Sequence, residues 1–248
     1  MTNSATFSED ERQSPIDMMT HLSAYGFYYK CPKRPDGRWL GPLVACSDNK
    51  EYVSDTYVSF RGVPHDFLVN WAEELTCLSS WTDIQPDCCH PLSPECRLSS
   101  ALTSLSRHSR KRCQPRGILT NITRIVSRLF SRSPESVVLV DDVLGENDIK
   151  PVIDHISKTG RVVKLIACFI NTLPECAYFY NPGQRREPIP VISLASIMVW
   201  RFLSNDPFVA HYIKESPTHI IEDPHTQLSR DRMMVIMRKR FHEYRPST

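Results

Sequence analysis

The chain has 248 residues, of which 41% are hydrophobic and 23% charged, and its formal net charge is +2 at pH 7. These values are typical of a globular protein with a substantial core. No apolar run approaches the roughly 20 residues that span a bilayer, and the first residues lack the basic and apolar segments of a secretory signal, so we expect a cytoplasmic protein. Nine cysteines fit reduced intracellular thiols better than a disulfide framework.

The chain is predicted to have three parts. Residues 1–17 are polar and are predicted to form a disordered tail, residues 18–225 a globular domain, and residues 226–248 a basic C-terminal helix. Inside the domain, residues 96–134 form a basic loop and helix insert, because nine Lys or Arg and no Asp or Glu occur there. This asymmetry predicts a surface that faces solvent or an anion.

The N-terminal half begins with a turn region over Cys31–Pro42, which is rich in proline and glycine. The β-rich residues Glu51–Phe60 predict one strand. A helix follows Pro64, where Phe67, Leu68 and Trp71 begin a helical spacing of apolar residues.

The basic insert is predicted to contain two helices. Leu98, Leu102 and Leu105 recur at helical spacing, residues 106–115 are predicted to form an exposed loop, and residues 118–129 have the pattern of a basic amphipathic helix.

The next segment has the pattern of a strand, a helix and a second strand. Val137–Val143 is β-branched and apolar, a short helix ends at Gly160, and Val162–Ile170 is again apolar. This order predicts a right-handed parallel crossover. The first strand carries Asp141 and Asp142 near its carboxyl end, where ligands bind in open parallel sheets.

Several stretches spread over residues 18–225 carry a resemblance to a known family. They are YGFYYKCP with GRWLGPLV, EYVSDTYVSF, VVLVDDV, RVVKLIACFIN, and IPVISL with NDPFVAHYI. Together they resemble the orotate phosphoribosyltransferase-like proteins, which belong to the type I phosphoribosyltransferases.

The resemblance implies an α/β fold with a central parallel sheet flanked by helices and a small hood formed partly by the N-terminal segment. It implies transfer of a phosphoribosyl group from 5-phosphoribosyl 1-diphosphate to a nitrogenous base in pyrimidine nucleotide metabolism. It also implies magnesium (Mg) bound with the diphosphate, and a homodimer. No metal site formed by the protein alone is expected.

The resemblance also implies site residues. Asp141 and Asp142 match the catalytic acid pair that holds the ribose hydroxyls. Gly145 and Asn147 stand where the family binds the 5-phosphate. On charge and position, a basic loop that contacts the diphosphate would include Arg110, Lys111 and Arg112.

Two departures from the family pattern keep a non-catalytic sensor or interaction protein open as an alternative. Glu146 and Asp148 place carboxylates beside the expected phosphate, and residues 87–97 contain no glycine to let a backbone approach a diphosphate. Activity is therefore undecided between transfer and binding alone.

Two further interpretations are less favoured. A nucleic-acid-binding protein could use residues 107–132, but Phe130 is their only aromatic residue, so base stacking has no support. A zinc site built from Cys88, Cys89, His90, Cys96 and Cys113 has the wrong spacing, because adjacent cysteines rarely share one ion.

Overall fold

The computed structural model describes residues 9–46, 51–78, 81, 84, 88–112, 135–145, 149–173, 179–180 and 187–243. Only the backbone is described for residues 9–16, 107–112 and 240–243. The chain forms two compact units. We call Met1–Val63 with Met198–Thr248 the terminal unit, and Pro64–Ile197 the central unit.

The helices and strands of the described residues are numbered in chain order. The helices are α1 (Glu9–Ala24), α2 (His65–Cys77), α3 (Arg97–Arg112), α4 (Ile149–Lys158), α5 (Pro207–Glu215) and α6 (Gln227–Glu243). The strands are β1 (Tyr28–Lys30), β2 (Leu43–Ala45), β3 (Tyr52–Ser54), β4 (Thr56–Val58), β5 (Cys88–Pro91), β6 (Ser136–Leu144), β7 (Val162–Asn171), β8 (Phe179–Tyr180), β9 (Ile189–Ser196), β10 (Arg201–Leu203) and β11 (Ile220–Ile221).

The central unit is built on a five-stranded sheet in the order β5-β6-β7-β9-β8. The first four strands are parallel, and β8 pairs with β9 in the antiparallel sense. Val137–Val140 in β6 and most of β7 are buried, as expected for strands covered on both faces. The predicted α/β class, with a central parallel sheet flanked by helices, is confirmed.

The strand-helix-strand prediction is confirmed as β6, α4 and β7. Ile149, Ile153 and Ile156 are buried at helical spacing along α4. Gly160 follows the helix with a φ of 77°, a left-handed conformation that glycine adopts without steric cost.

Helices cover both faces of the central sheet, and β7 shows which helix lies on which face. Cys168 belongs to the buried cluster that contains the isoleucines of α4. The ring of Phe169 packs edge-on against Trp71 of α2, with centroids 6.1 Å apart. Because neighbouring strand residues point to opposite faces, α4 and α2 lie on opposite faces of the sheet.

The terminal unit contains a four-stranded sheet, β10-β3-β2-β11, and a two-stranded sheet, β1-β4. Its core joins residues from both ends of the chain, since Tyr29, Leu43 and Val53 are buried with Met233 and Met237 of α6. The N-terminal segment, which the resemblance expects in a hood, lies in this unit, and its role as a hood stays a prediction.

The single strand predicted over Glu51–Phe60 is wrong, because β3 and β4 are separate strands in different sheets. The break falls at Asp55, whose fully buried carboxylate contacts Lys30 Nζ at 2.9 Å and Lys33 Nζ at 3.0 Å. The two ion pairs hold the side chain of Asp55 inside the unit. Asp55 therefore belongs to neither strand, and β3 ends just before it while β4 begins just after it.

Two further segments differ from their predictions. α1 covers Glu9–Ala24, so part of it lies inside the predicted tail of residues 1–17. α3 continues to Arg112 through much of the predicted loop of residues 106–115, because arginine and lysine favour helices. The helix predicted over residues 118–129 lies outside the described residues.

Across the described parts of the chain, no helix combines the length and apolar character needed to cross a membrane.

Candidate functional site

The polar residues of interest lie at one edge of the central sheet. β5, β6, β7 and β9 run parallel, so their carboxyl ends meet at the same edge, which we call the carboxyl edge. Loops at this edge lead into α3 and α4. In open parallel sheets, ligands bind at such an edge.

Asp142 holds the N-terminus of α3. The backbone N–H of Leu98 donates to Asp142 Oδ1 at 2.7 Å, and that of Arg97 donates to Oδ2 at 3.0 Å. These are donors of the first helical turn that have no partner within the helix. A carboxylate is also favoured there by the helix dipole. Both oxygens of Asp142 are therefore engaged in capping α3.

Burial affects the pKa of Asp142 more than its hydrogen bonds do. It raises the pKa of this carboxyl, and the hydrogen bonds from Arg97 and Leu98 lower it by less, so the net shift is upward. The cap thus holds a charge that is partly withdrawn from water.

Cys96 completes the junction between α3 and β6. Its thiol lies 3.5 Å from the carbonyl oxygen of Val140 and 3.9 Å from Asp142 Oδ1, and Ser99 N–H donates to its sulfur at 3.4 Å. Burial raises the pKa of Cys96 to about 12, so the thiol is protonated at neutral pH. This cysteine is a packing and capping residue, with little thiolate for nucleophilic chemistry.

Asp141 lies on the other face of β6. It pairs in register with Cys168, which faces α4, whereas Asp142 faces α3. Its side chain is partly buried, and Oδ1 accepts from the backbone N–H of Asp142 at 2.8 Å.

Because the strand continues to Leu144, the chain does not turn between the two carboxylates. Asp141 and Asp142 are neighbours in sequence but do not converge on one point. The roles predicted for the pair stay predictions.

The connection from β6 to α4 is described in part. Gly145 is partly buried, and a Cβ at its position would meet nothing within 4 Å. Asn147, with Glu146 and Asp148, lies outside the described residues. The predicted contact of Gly145 and Asn147 with phosphate stays a prediction.

Sequence reasoning missed two polar residues at the end of β7. Asn171 is 1% exposed, and its Oδ1 accepts from Leu173 N–H at 2.9 Å. Thr172 Oγ1 donates to the carbonyl oxygen of Leu144 at 2.7 Å and so joins the ends of β6 and β7. The signal that could have found them is the one used for the acid pair, namely polar residues at the carboxyl end of a buried strand.

The predicted basic residues lie on a helix. The sequence predicted a loop here, but α3 extends to Arg112 and ends with Arg110, Lys111 and Arg112. Their side chains lie outside the described part of the structure, so their contact with a diphosphate stays a prediction.

The cysteine-rich segment forms β5. Cys88, Cys89 and His90 are consecutive strand residues. Among the described residues, no group of three or more His, Cys, Asp or Glu side chains is placed to hold a metal ion.

Comparison with known proteins gives a weak similarity to a solved structure. No protein-family model matches the chain, and no curated protein sequence matches it. Among solved structures, the orotate phosphoribosyltransferase from Aeropyrum pernix is similar, with 16% identity, coverage of 72% of this chain and 93% of that chain, and a TM-score of 0.43. Values this low define neither a family nor an activity for the chain.

Proposed function

We propose that the central unit binds 5-phosphoribosyl 1-diphosphate at its carboxyl edge, and that the chain is a phosphoribosyltransferase-like protein of nucleotide metabolism. The observation that carries this proposal is the position of Asp141. Its partly buried carboxylate stands near the carboxyl end of an inner parallel strand, beside the connection to α4. Ligands bind at this place in sheets of this kind.

The ligand and the edge are chemically complementary. The ribose hydroxyls would donate to Asp141, because an ionised carboxylate is a strong acceptor. The 5-phosphate would lie against the N-terminus of α4, with Gly145 and Asn147 in the connecting loop. Arg110, Lys111 and Arg112 of α3 would offset diphosphate charge.

Magnesium would arrive with this ligand. Mg²⁺ prefers hard oxygen ligands and keeps several waters. Asp142 does not fit as a ligand, because both of its oxygens accept hydrogen bonds from α3. We therefore assign the ion to the diphosphate, as part of the substrate.

In a transfer reaction, a base nitrogen would bond to C1 of the ribose as the bond from C1 to the diphosphate breaks. A pyrimidine such as orotate is the acceptor that the sequence resemblance implies. A homodimer is implied in the same way, and light scattering would measure it directly.

Binding without transfer is the second candidate, and the cap on α3 favours it. The backbone donors of Arg97 and Leu98 are where a helix would offer an anion its contacts, and the carboxylate of Asp142 already occupies them. A diphosphate could take these donors only after Asp142 leaves. A sensor could hold the ribose through Asp141 and leave this cap in place.

Calorimetry of the full chain with 5-phosphoribosyl 1-diphosphate and magnesium tests the proposal. Asp141→Asn should weaken binding by about tenfold or more, because charge-assisted hydrogen bonds to the ribose are lost. Asp154→Asn is the matched control, since this α4 carboxylate pairs with Lys150 on the surface. Absence of heat at millimolar ligand, or equal weakening in both variants, would refute the proposal.

A second measurement separates the two candidates. Release of diphosphate is followed with the wild-type chain, magnesium, the sugar and orotate or uracil. Release that depends on the base assigns transfer, whereas binding without release assigns the sensor.

A further inference from the structure

A cleft in the terminal unit has the size and charge of a small-molecule anion site. Its volume is about 450 Å³, and it lies between the turn around Pro32–Pro42, the segment that contains Thr218 and His219, and α6. Small-molecule pockets have volumes of roughly 300–1,000 Å³. The cleft shares no lining residue with the site proposed at the carboxyl edge.

Basic side chains dominate the lining. Lys33, Arg232 and Lys239 carry positive charge, His219 adds an imidazole, and none of the described lining residues is acidic. Lys33 does contact the carboxylate of Asp55, but that carboxylate also binds Lys30. One carboxylate between two ammonium groups leaves a net positive charge, so the cleft favours anions.

One side of the cleft, which we call the basic wall, consists of α6 and the segment that contains Thr218 and His219, and specific contacts hold it in place. Arg232 donates to the carbonyl oxygens of Thr218 and Ile220, which ties that segment to α6. The imidazole of His219 stacks on the ring of Tyr212, with centroids 4.1 Å apart, and its Nδ1 lies 2.7 Å from the Tyr212 carbonyl oxygen. The basic wall is therefore ordered before a ligand binds.

The opposite wall is a turn fixed by two tyrosine hydroxyls. Tyr212 donates to the carbonyl oxygen of Gly41 at 2.8 Å, and Tyr29 donates to that of Pro42 at 2.9 Å. A Cβ at Gly41 would lie 2.7 Å from both Pro32 and the Tyr29 hydroxyl, so only glycine allows this close approach. The turn is locked in shape on the side facing the basic wall.

Apolar groups complete the cleft. Leu40, with 55% of its surface exposed, and Ile236 line it together with two prolines. We propose that this cleft binds a small organic phosphate, a phosphate monoester whose second part is apolar or aromatic. The phosphate dianion is held by Lys33, Arg232 and Lys239, and the apolar part covers Leu40 and Ile236.

Calorimetry of the full chain with phenyl phosphate, in low salt and without magnesium, tests the site. Phenyl phosphate should bind more tightly than inorganic phosphate, because only the ester can cover the apolar wall. Binding should weaken as salt is added. No heat at millimolar phenyl phosphate, or equal affinity for the two anions, would overturn the proposal.

Variants place the binding in this cleft. Lys239→Gln should weaken phenyl phosphate binding by about tenfold, because one charge-assisted contact is lost. Lys214→Gln on α5 removes the same charge from the same unit, outside the cleft, and should leave affinity unchanged. Equal losses in the two variants would overturn the proposal by showing that only overall charge matters.

A third variant separates this site from the carboxyl edge. Asp141→Asn should leave the affinity for phenyl phosphate unchanged, even if it abolishes binding of 5-phosphoribosyl 1-diphosphate. A loss in both assays would move the phenyl phosphate to the carboxyl edge and reject the cleft. If phenyl phosphate binds to the cleft but 5-phosphoribosyl 1-diphosphate does not bind at all, only the proposal for the carboxyl edge is refuted.

Discussion

The pKa values of two carboxyls in this chain, Asp55 and Asp142, are shifted in opposite directions. Burial raises the pKa of Asp55, but hydrogen bonds from Lys30, Thr56 and Lys33 outweigh it, and the net pKa is lowered. For Asp142, burial outweighs the hydrogen bonds from two backbone N–H groups, and the net pKa is raised. Ammonium donors carry full charge, whereas backbone donors carry only a dipole, so the first set stabilises a carboxylate more strongly.

Asp55→Asn should destabilise the terminal unit by about 3 kcal/mol at neutral pH, because it leaves two lysines beside a buried amide. This is the lower part of the range for a broken buried pair, since the side chains of Lys30 and Lys33 are 24% and 35% exposed. The measurement is thermal unfolding of both proteins. Asp36→Asn, which removes an exposed carboxylate near Arg38, is the control and should change stability little.

The same pair of proteins has a defined pH dependence. The folded-state pKa of Asp55 lies below its unfolded value, so its contribution is present above the unfolded pKa of about 3.9 and is lost as pH falls through the folded pKa. The stability gap between wild type and Asp55→Asn should therefore shrink below about pH 4. A gap that stays constant down to acid unfolding would contradict the assigned ion pairs.

At the scale of elements, the start of α3 depends on β6. Asp142→Ala should destabilise the helix start by about 2 kcal/mol, because two backbone donors lose their acceptor. Asp142→Asn keeps one acceptor oxygen and should cost less. Amide hydrogen exchange at Arg97 and Leu98 measures this directly. If exchange at these amides is unchanged in the alanine variant, the cap does not exist in solution.

Local patterns in the sequence were sufficient for several elements. The apolar run before Asp141 predicted β6, and the isoleucine spacing with Gly160 predicted α4, because the residues that decide these elements are close in the chain. The acid pair could be placed at the end of a strand for the same reason. Sequence reasoning also identified the edge of the sheet at which these acids lie.

Contacts between distant residues decided what the sequence could not predict. Asp142 and the N–H it caps at Leu98 are 44 positions apart, so no local pattern shows that this carboxylate is engaged. The break between β3 and β4 depends on Lys30, 25 positions before Asp55. The cleft joins residues from the first and last parts of the chain, and its charge is invisible in a composition with a net charge of +2.

At the scale of the whole molecule, the two ends of the chain form one unit and the middle forms the other. The central unit is continuous in sequence and carries the proposed sugar site. The terminal unit needs α6, from the C-terminal end, to cover strands from the N-terminal end. Its fold therefore forms only when contacts across nearly the full chain length are made, which carries a high loop-closure cost.

Met233→Ala tests this closure. Met233 is 0% exposed and packs in the cluster that holds Val44 and Val53, so its truncation should cost about 3 kcal/mol through lost burial and a cavity. Amides of β2 and β3, whose Val44 and Val53 belong to this core, should then exchange about a hundredfold faster. Met198→Ala makes the same change at a side chain that is 59% exposed, and should alter stability by less than about 0.5 kcal/mol. Equal exchange rates in the two variants would mean that α6 does not close the core of the terminal unit.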